Sequence, residues 1–180
     1  YTVRLTVRNK AKTSGYQHLT KIAETASGKL EIWEADLLKE GSYNAAAEGS
    51  DAIIHMASPF FLKFKDAQKE LIEPAVNGTI NILNAANASS TVRKVILTSS
   101  VAAVHGDSID MQELGLSEFT EEHFNSTSTI KHQPYSYSKV TAEKTAWKMA
   151  DAQNKWTLIV INPSFVMGPP LTLETKSESI

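Results

Sequence analysis

Hydrophobic and polar positions along this chain switch repeatedly between two periods. Residues 2–7 (TVRLTV) are β-branched and alternating, which predicts a strand. Residues 16–26 predict a short helix, 30–33 a second strand, and 41–47 a helical turn or two. Residues 51–56 (DAIIHM) form an apolar run of buried-strand type, closed by Ala57, Ser58 and Pro59. From 68 to 88 apolar residues recur at Leu71, Ala75, Ile82 and Ala86, a helical stripe that Pro74 kinks or delays at its start. Residues 94–98 (KVILT) predict another buried strand, running into Ser99 and Ser100. The stretch 106–133 is long, polar and mixed, with 119–124 as a short helix; loops of this length are functional or disordered. A helix from Pro134 to about Gln153 and a strand over 156–161 (WTLIVI) complete the pattern. Strands alternating with helices, the strands apolar on both faces, predict a doubly wound α/β fold with a parallel sheet.

Composition narrows this picture rather than changing it. At 180 residues and 42% hydrophobic, the chain suits one domain with a sizeable core. A net charge of −2 offers no footprint for nucleic acid or an anionic membrane. No cysteine is present, so disulfides, thiolate nucleophiles and cysteine metal sites are excluded. The five histidines include no pair at metal-binding spacing. No apolar run is long enough for a membrane helix and no signal-peptide pattern stands at residue 1, so the expected location is cytoplasmic.

Chemistry concentrates at residues 132–144, HQPYSYSKVTAEK. Tyr135 and Lys139 are four apart, and with Pro134 in the first helical turn both side chains share one face. A phenol titrates near pH 10. A neighbouring ammonium stabilises the phenolate and is expected to pull that value toward working pH, where proton exchange with a substrate oxygen is efficient. Taken alone, such a pair is also ordinary on a helix surface. Ser99 and Ser100 alone read as a plain strand end.

The segments TVRNKAK (6–12), ADL (35–37), HMASPF (55–60), AVNGTINIL (75–83), VILTSSVAAV (95–104), YSYSK (135–139) and NPSFVMGP (162–169), in this order, resemble the extended short-chain dehydrogenase/reductase superfamily. The match is strongest to its dihydroflavonol reductase-like branch, with the cinnamoyl-CoA reductases and fungal carbonyl reductases. That resemblance implies a Rossmann-like fold with Tyr135 as catalytic proton donor, Lys139 as its tuner and ribose ligand, and Ser100 as the serine that polarises the substrate carbonyl. It also aligns Asn77 with an asparagine that supports the lysine through ordered water in many relatives; its other reading is a side chain bonded to nearby backbone. His105 follows the serine segment and is left outside the catalytic set.

The expected cofactor is NADP. In dinucleotide folds an acid at the end of the second strand accepts both ribose hydroxyls of NAD, whereas an arginine receives the phosphate of NADP. Here that position is Arg8, followed by Lys10 and Lys12. By resemblance Asp36 and Leu37 contact adenine, and Met56, Ala57 and Ser58 pass under the adenosine and pyrophosphate. Tyr135, Lys139, Pro163, Ser164 and Val166 meet the nicotinamide end, and Ser99 also counts among the cofactor-binding residues.

No Gly-rich fingerprint occurs in the chain. The expectation is therefore an incomplete dinucleotide-binding domain over 1–180, lacking its first strand and most of the C-terminal substrate lobe beyond 170. The expected activity is NADPH-dependent reduction of a ketone or aldehyde, a small molecule whose identity the sequence leaves open, as it does the oligomeric state. Alternatives within the superfamily are a nucleotide-sugar epimerase or dehydratase and a hydroxysteroid-type dehydrogenase. A non-catalytic NADP-binding redox sensor is the alternative from another class.

Overall fold

A computed structural model describes residues 1–58 and 63–171. Pro59 and Phe60 of the HMASPF segment, and the polar tail from 172, lie outside the described residues. Among the described residues, five strands and five α-helices follow one another as β1 (Thr2–Val7), α1 (Gln17–Thr25), β2 (Lys29–Glu34), α2 (Asn44–Ala47), β3 (Ala52–His55), α3 (Glu73–Ala88), β4 (Lys94–Thr98), α4 (Asp110–Glu113), α5 (Pro134–Asp151) and β5 (Thr157–Ile161). All ladders among the described residues are parallel. They form two sheets: β1 with β2, and β3, β4, β5 in that order.

Register decides which residues face the helices. Ile53, Val95 and Leu158 are in line, as are His55, Leu97 and Val160, and these side chains turn toward one face because strand residues alternate. On that face Leu83, Ala85 and Ala86 of α3 and Ala146 of α5 build the core with Val92, Val95, Leu97 and Trp156. The alanines let the two helices approach closely. The Trp156 indole N–H donates to Asn87 Oδ1 at 2.8 Å, so the ring is buried without an orphaned donor. The expectation of strands buried on both faces fails for β3 and β5: Ile54 is 64% exposed, and Ile159 and Ile161 are exposed too. They point away from α3 and α5, the helices that cover the opposite face.

Side chains hold the β1–β2 unit to the rest. The Arg4 guanidinium lies over the Trp33 ring, 5.0 Å from its centroid, and donates to the carbonyls of Ala46 (3.0 Å) and Glu48. Asn81, buried on α3, donates to the carbonyls of Leu37 (3.1 Å) and Lys39 (2.8 Å) and accepts from the Gly41 N–H (3.0 Å). One amide thus fixes the loop that follows β2.

Pro74 acts as the pattern predicts. A turn of π-helix, Gln68–Ile72, precedes α3, and the proline sits in the first α-helical turn, where its missing N–H is least missed. The short helix expected over 119–124 is absent. Instead His123 Nδ1 closes a turn against the Thr120 N–H at 3.0 Å, and helix forms earlier, at α4. The His123 and Thr120 side chains, bonding locally, compete with helical hydrogen bonds there. No helix among the described residues is long and apolar enough to cross a membrane.

Candidate active site

The ends of β3 and β4 meet α5 at Lys139. Gln133, in the left-handed region at φ 55°, turns the chain into α5, and Pro134 opens the helix. Tyr135, Lys139 and Glu143 then lie one above another along one stripe at four-residue spacing. The Ser100 hydroxyl is at the end of β4, where it caps a 3-10 turn by accepting from the Ala102 N–H at 3.2 Å. Hydrogen bonds from Ser99 N to the Ile161 carbonyl (2.8 Å) and Val101 N to the Pro163 carbonyl (3.1 Å) continue the β4–β5 pairing past the strands. Pro163 is thereby fixed beside Ser100.

These elements bring Ser100, Tyr135 and Lys139 together. Ser100 and Tyr135 share a side-chain hydrogen bond. The Lys139 ammonium stands against the Tyr135 ring, 5.7 Å from its centroid. Their electrostatics differ from the sequence expectation in one respect. Burial raises the Tyr135 phenol above its ordinary pKa of 10.0, and the Ser100 hydrogen bond only partly opposes this. Burial also lowers Lys139, which is 8% exposed, to about 8, with the Glu143 charge acting in the opposite direction. Desolvation disfavours each charged form, so the tyrosine stays neutral and the lysine becomes easier to discharge.

Behind Lys139 lies a cavity of about 10 Å³, lined by His55, Thr79, Ser99, Lys139 and Glu143 among others. The Ser99 hydroxyl is buried there without a hydrogen-bond partner among the described residues. His55 is pushed down to about 4 by burial and by the Lys139 charge. Thr79 donates its hydroxyl proton to the Ala75 carbonyl at 2.8 Å, leaving a lone pair for His55 Nε2 at 3.4 Å. Imidazole in this site is neutral, with its Nε2 protonated.

The remaining predicted positions fall around this centre. Arg8 and Lys12 are exposed in the turn after β1. Glu34, paired in register with Val7, accepts from the Lys10 N–H at 3.1 Å, so an acid does reach this turn but is engaged by backbone. Asp36 accepts from the Leu38 N–H at 2.9 Å, and Leu37 packs over Gly78, where an added Cβ would stand 3.1 Å from a leucine methyl. Met56 and Ala57 are exposed beyond β3, Ser58 half-buried, and Val166 exposed beyond Pro163. Asn77 is exposed on α3, and Thr79, two residues on, faces the cavity. A two-residue step turns a helix by about 200°. His105 stacks on Phe119, ring centroids 5.3 Å apart, with His123 edge-on to the same phenylalanine.

The whole chain, residues 1–180, matches the family described as the NAD dependent epimerase/dehydratase family. The chain belongs to that family. Within it, the chain is 37% identical to cinnamoyl-CoA reductase CAD2 of Medicago truncatula, over all of this chain and 55% of that protein. It is 35% identical to anthocyanidin reductase of Arabidopsis thaliana, over 98% of this chain and 52% of that protein. Among solved structures it is similar to Gre2 of Candida albicans in complex with NADPH, at a TM-score of 0.75 and 33% identity, over 94% of this chain and 52% of that one. Vestitone reductase of alfalfa (Medicago sativa L.) superposes at a TM-score of 0.74 and 26% identity, over 99% of this chain and 53% of that one. The chain thus spans about half the length of the curated relatives it matches. The fold is Rossmann-like, and the resemblance to extended short-chain dehydrogenases/reductases of the dihydroflavonol reductase-like branch holds.

In this family member, sequence reasoning passed over four residues that the structure brings to the site: His55, Thr79, Glu143 and Asn162. Glu143 had a readable signal, since it continues the stripe of Tyr135 and Lys139 by one more turn. Asn162 had none. Its amide joins Glu143 Oε2 (2.9 Å) to the Ser100 carbonyl (3.1 Å), a link between β4, β5 and α5 that exists only in three dimensions.

Proposed function

We propose that the protein carrying this chain reduces a ketone or aldehyde to an alcohol with NADPH, Tyr135 giving the proton to the carbonyl oxygen. The observation that carries this reading is the hydrogen-bonded pair of Ser100 and Tyr135 with the buried Lys139 ammonium against the tyrosine ring. The chemistry of the surrounding donors fits a dinucleotide: exposed Arg8 and Lys12 at one strand end suit a ribose phosphate, and Lys139 suits ribose hydroxyls at the other. NADPH would supply the hydride. Ser100 and Tyr135 would both donate to the substrate oxygen, polarising the carbonyl and fixing its orientation.

The pKa directions suit reduction. A tyrosine held protonated by burial is available as an acid at neutral pH. Once the proton leaves, the buried phenolate is unfavourable unless an ammonium stands beside it, which is the role of Lys139. Because Lys139 discharges near pH 8, reduction is expected to decline above that pH. Similarity to relatives named as reductases supports the same reading.

The test is NADPH oxidation by the complete protein with a panel of aliphatic and aromatic carbonyls, beside Tyr135→Phe. Turnover lowered by about 10²- to 10⁴-fold in the variant, with NADPH binding retained, is the expected result. Tight NADPH binding without turnover on any carbonyl, and no effect of the substitution, would sink the enzyme reading in favour of a redox sensor.

A further inference from the structure

Glu143 is a carboxylate the reduction does not use, yet it is 4% exposed at the wall of the Lys139 cavity. Burying a carboxylate is costly unless hydrogen bonds or an opposite charge compensate it. One hydrogen bond reaches it, from Asn162 Nδ2 at 2.9 Å, and the same amide group donates to the Ser100 carbonyl at 3.1 Å. No direct ion pair joins Glu143 to Lys139 among the described residues. The two residues nevertheless occupy successive turns of one helical face, whose Cβ atoms stand about 5–6 Å apart. The cavity between them and the sheet has room for about one water.

We propose that Glu143 is a positioning residue: anchored through Asn162 to the Ser100 carbonyl, its carboxylate faces the Lys139 ammonium across the cavity and keeps it charged and aimed at Tyr135. From β3 comes His55, neutral and hydrogen-bonded to Thr79 of α3. The end of β4 contributes the uncharged hydroxyl of Ser99, and α5 contributes Tyr135, held neutral with Ser100 beside it. Among the described residues lining the cavity, Glu143 is the one acidic side chain. Burial drives Lys139 toward its neutral form, and the Glu143 charge is the influence that opposes it. The same carboxylate therefore acts twice, through Lys139 by charge and through Asn162 on the strand end that carries Ser100.

The catalytic consequence rests on the reductase reading, but the electrostatic link is measurable without turnover. Trace acetylation of the complete protein with acetic anhydride, followed by peptide mass spectrometry from about pH 6 to about pH 11, reads the titration of Lys139 directly. Glu143→Gln keeps an oxygen for Asn162 while removing the charge, and its Lys139 midpoint is expected to fall by about one pH unit. Glu143→Asp, which keeps the charge, should leave the midpoint much closer to the parent value. In an active enzyme the alkaline limb of kcat should move down with the midpoint. If Glu143→Gln does not fold, Glu143→Met removes the charge at similar volume and carries the same expectation. An unmoved midpoint in a folded, charge-free variant overturns the proposal. A moved midpoint in a protein without Tyr135-dependent turnover leaves the link standing and overturns the reductase reading alone.

Discussion

Mild acidification should weaken this fold through the buried side chain of His55. His55 stands in register with Leu97 on the sheet face covered by α3 and α5 and is 6% exposed. Its folded pKa is about 4, against 6.5 for an ordinary histidine. As pH falls below 6.5 the unfolded chain takes up a proton that the folded chain refuses, so stability is complete above that pH and declines until about pH 4. Proton linkage with these two values gives a loss of about 2 kcal/mol between pH 7 and pH 5. Glu31 and Glu48, both lowered from 4.5, lose their contributions mainly below this window, and Lys139 is protonated in both states throughout it. Urea unfolding of the complete protein at the two pH values measures the loss, and His55→Gln, which cannot titrate, should abolish it. If His55→Gln loses as much stability as the parent between pH 7 and pH 5, the argument from burial is wrong.

Two further substitutions probe the loop and the cofactor end. A Cβ at Gly106 would collide with Thr127 Oγ1 and stand 2.7 Å from Asn125 Oδ1. Neither can retreat, because Thr127 donates to Asp110 Oδ2 at 2.7 Å and the Asn125 amide donates to the Ala102 carbonyl at 2.8 Å. Gly106→Ala is therefore expected to destabilise by about 1–3 kcal/mol and to speed amide hydrogen exchange across 105–133; unchanged exchange would contradict the packing argument. Replacing Arg8 and Lys12 together by alanine should raise the KM for NADPH by about tenfold or more while sparing NADH, since charge-assisted bonds to a phosphate would be lost. Equal effects on both cofactors would remove the basic turn from the phosphate site.

Periodicity alone sets the order of elements and puts the candidate chemistry on one helix. Strand and helix periods differ enough that TVRLTV, KVILT and the α5 stripe are legible from spacing, and a four-residue step on any α-helix places Tyr135 and Lys139 on one face. What tertiary structure decided was which face of each element is buried, and hence the sign of the electrostatics. Sequence spacing argued that Lys139 lowers the tyrosine pKa, whereas burial among β3, β4 and α5 raises it and lowers the lysine as well. That Thr79 of α3 faces the cavity depends on how the helix is rotated against the sheet, which helical spacing alone leaves open. Glu143, Asn162 and Ser100 are linked across separations of 19 and 62 residues. Side chains that meet only after the chain has folded leave no periodic trace, and desolvation belongs to the packed site rather than to any residue in it.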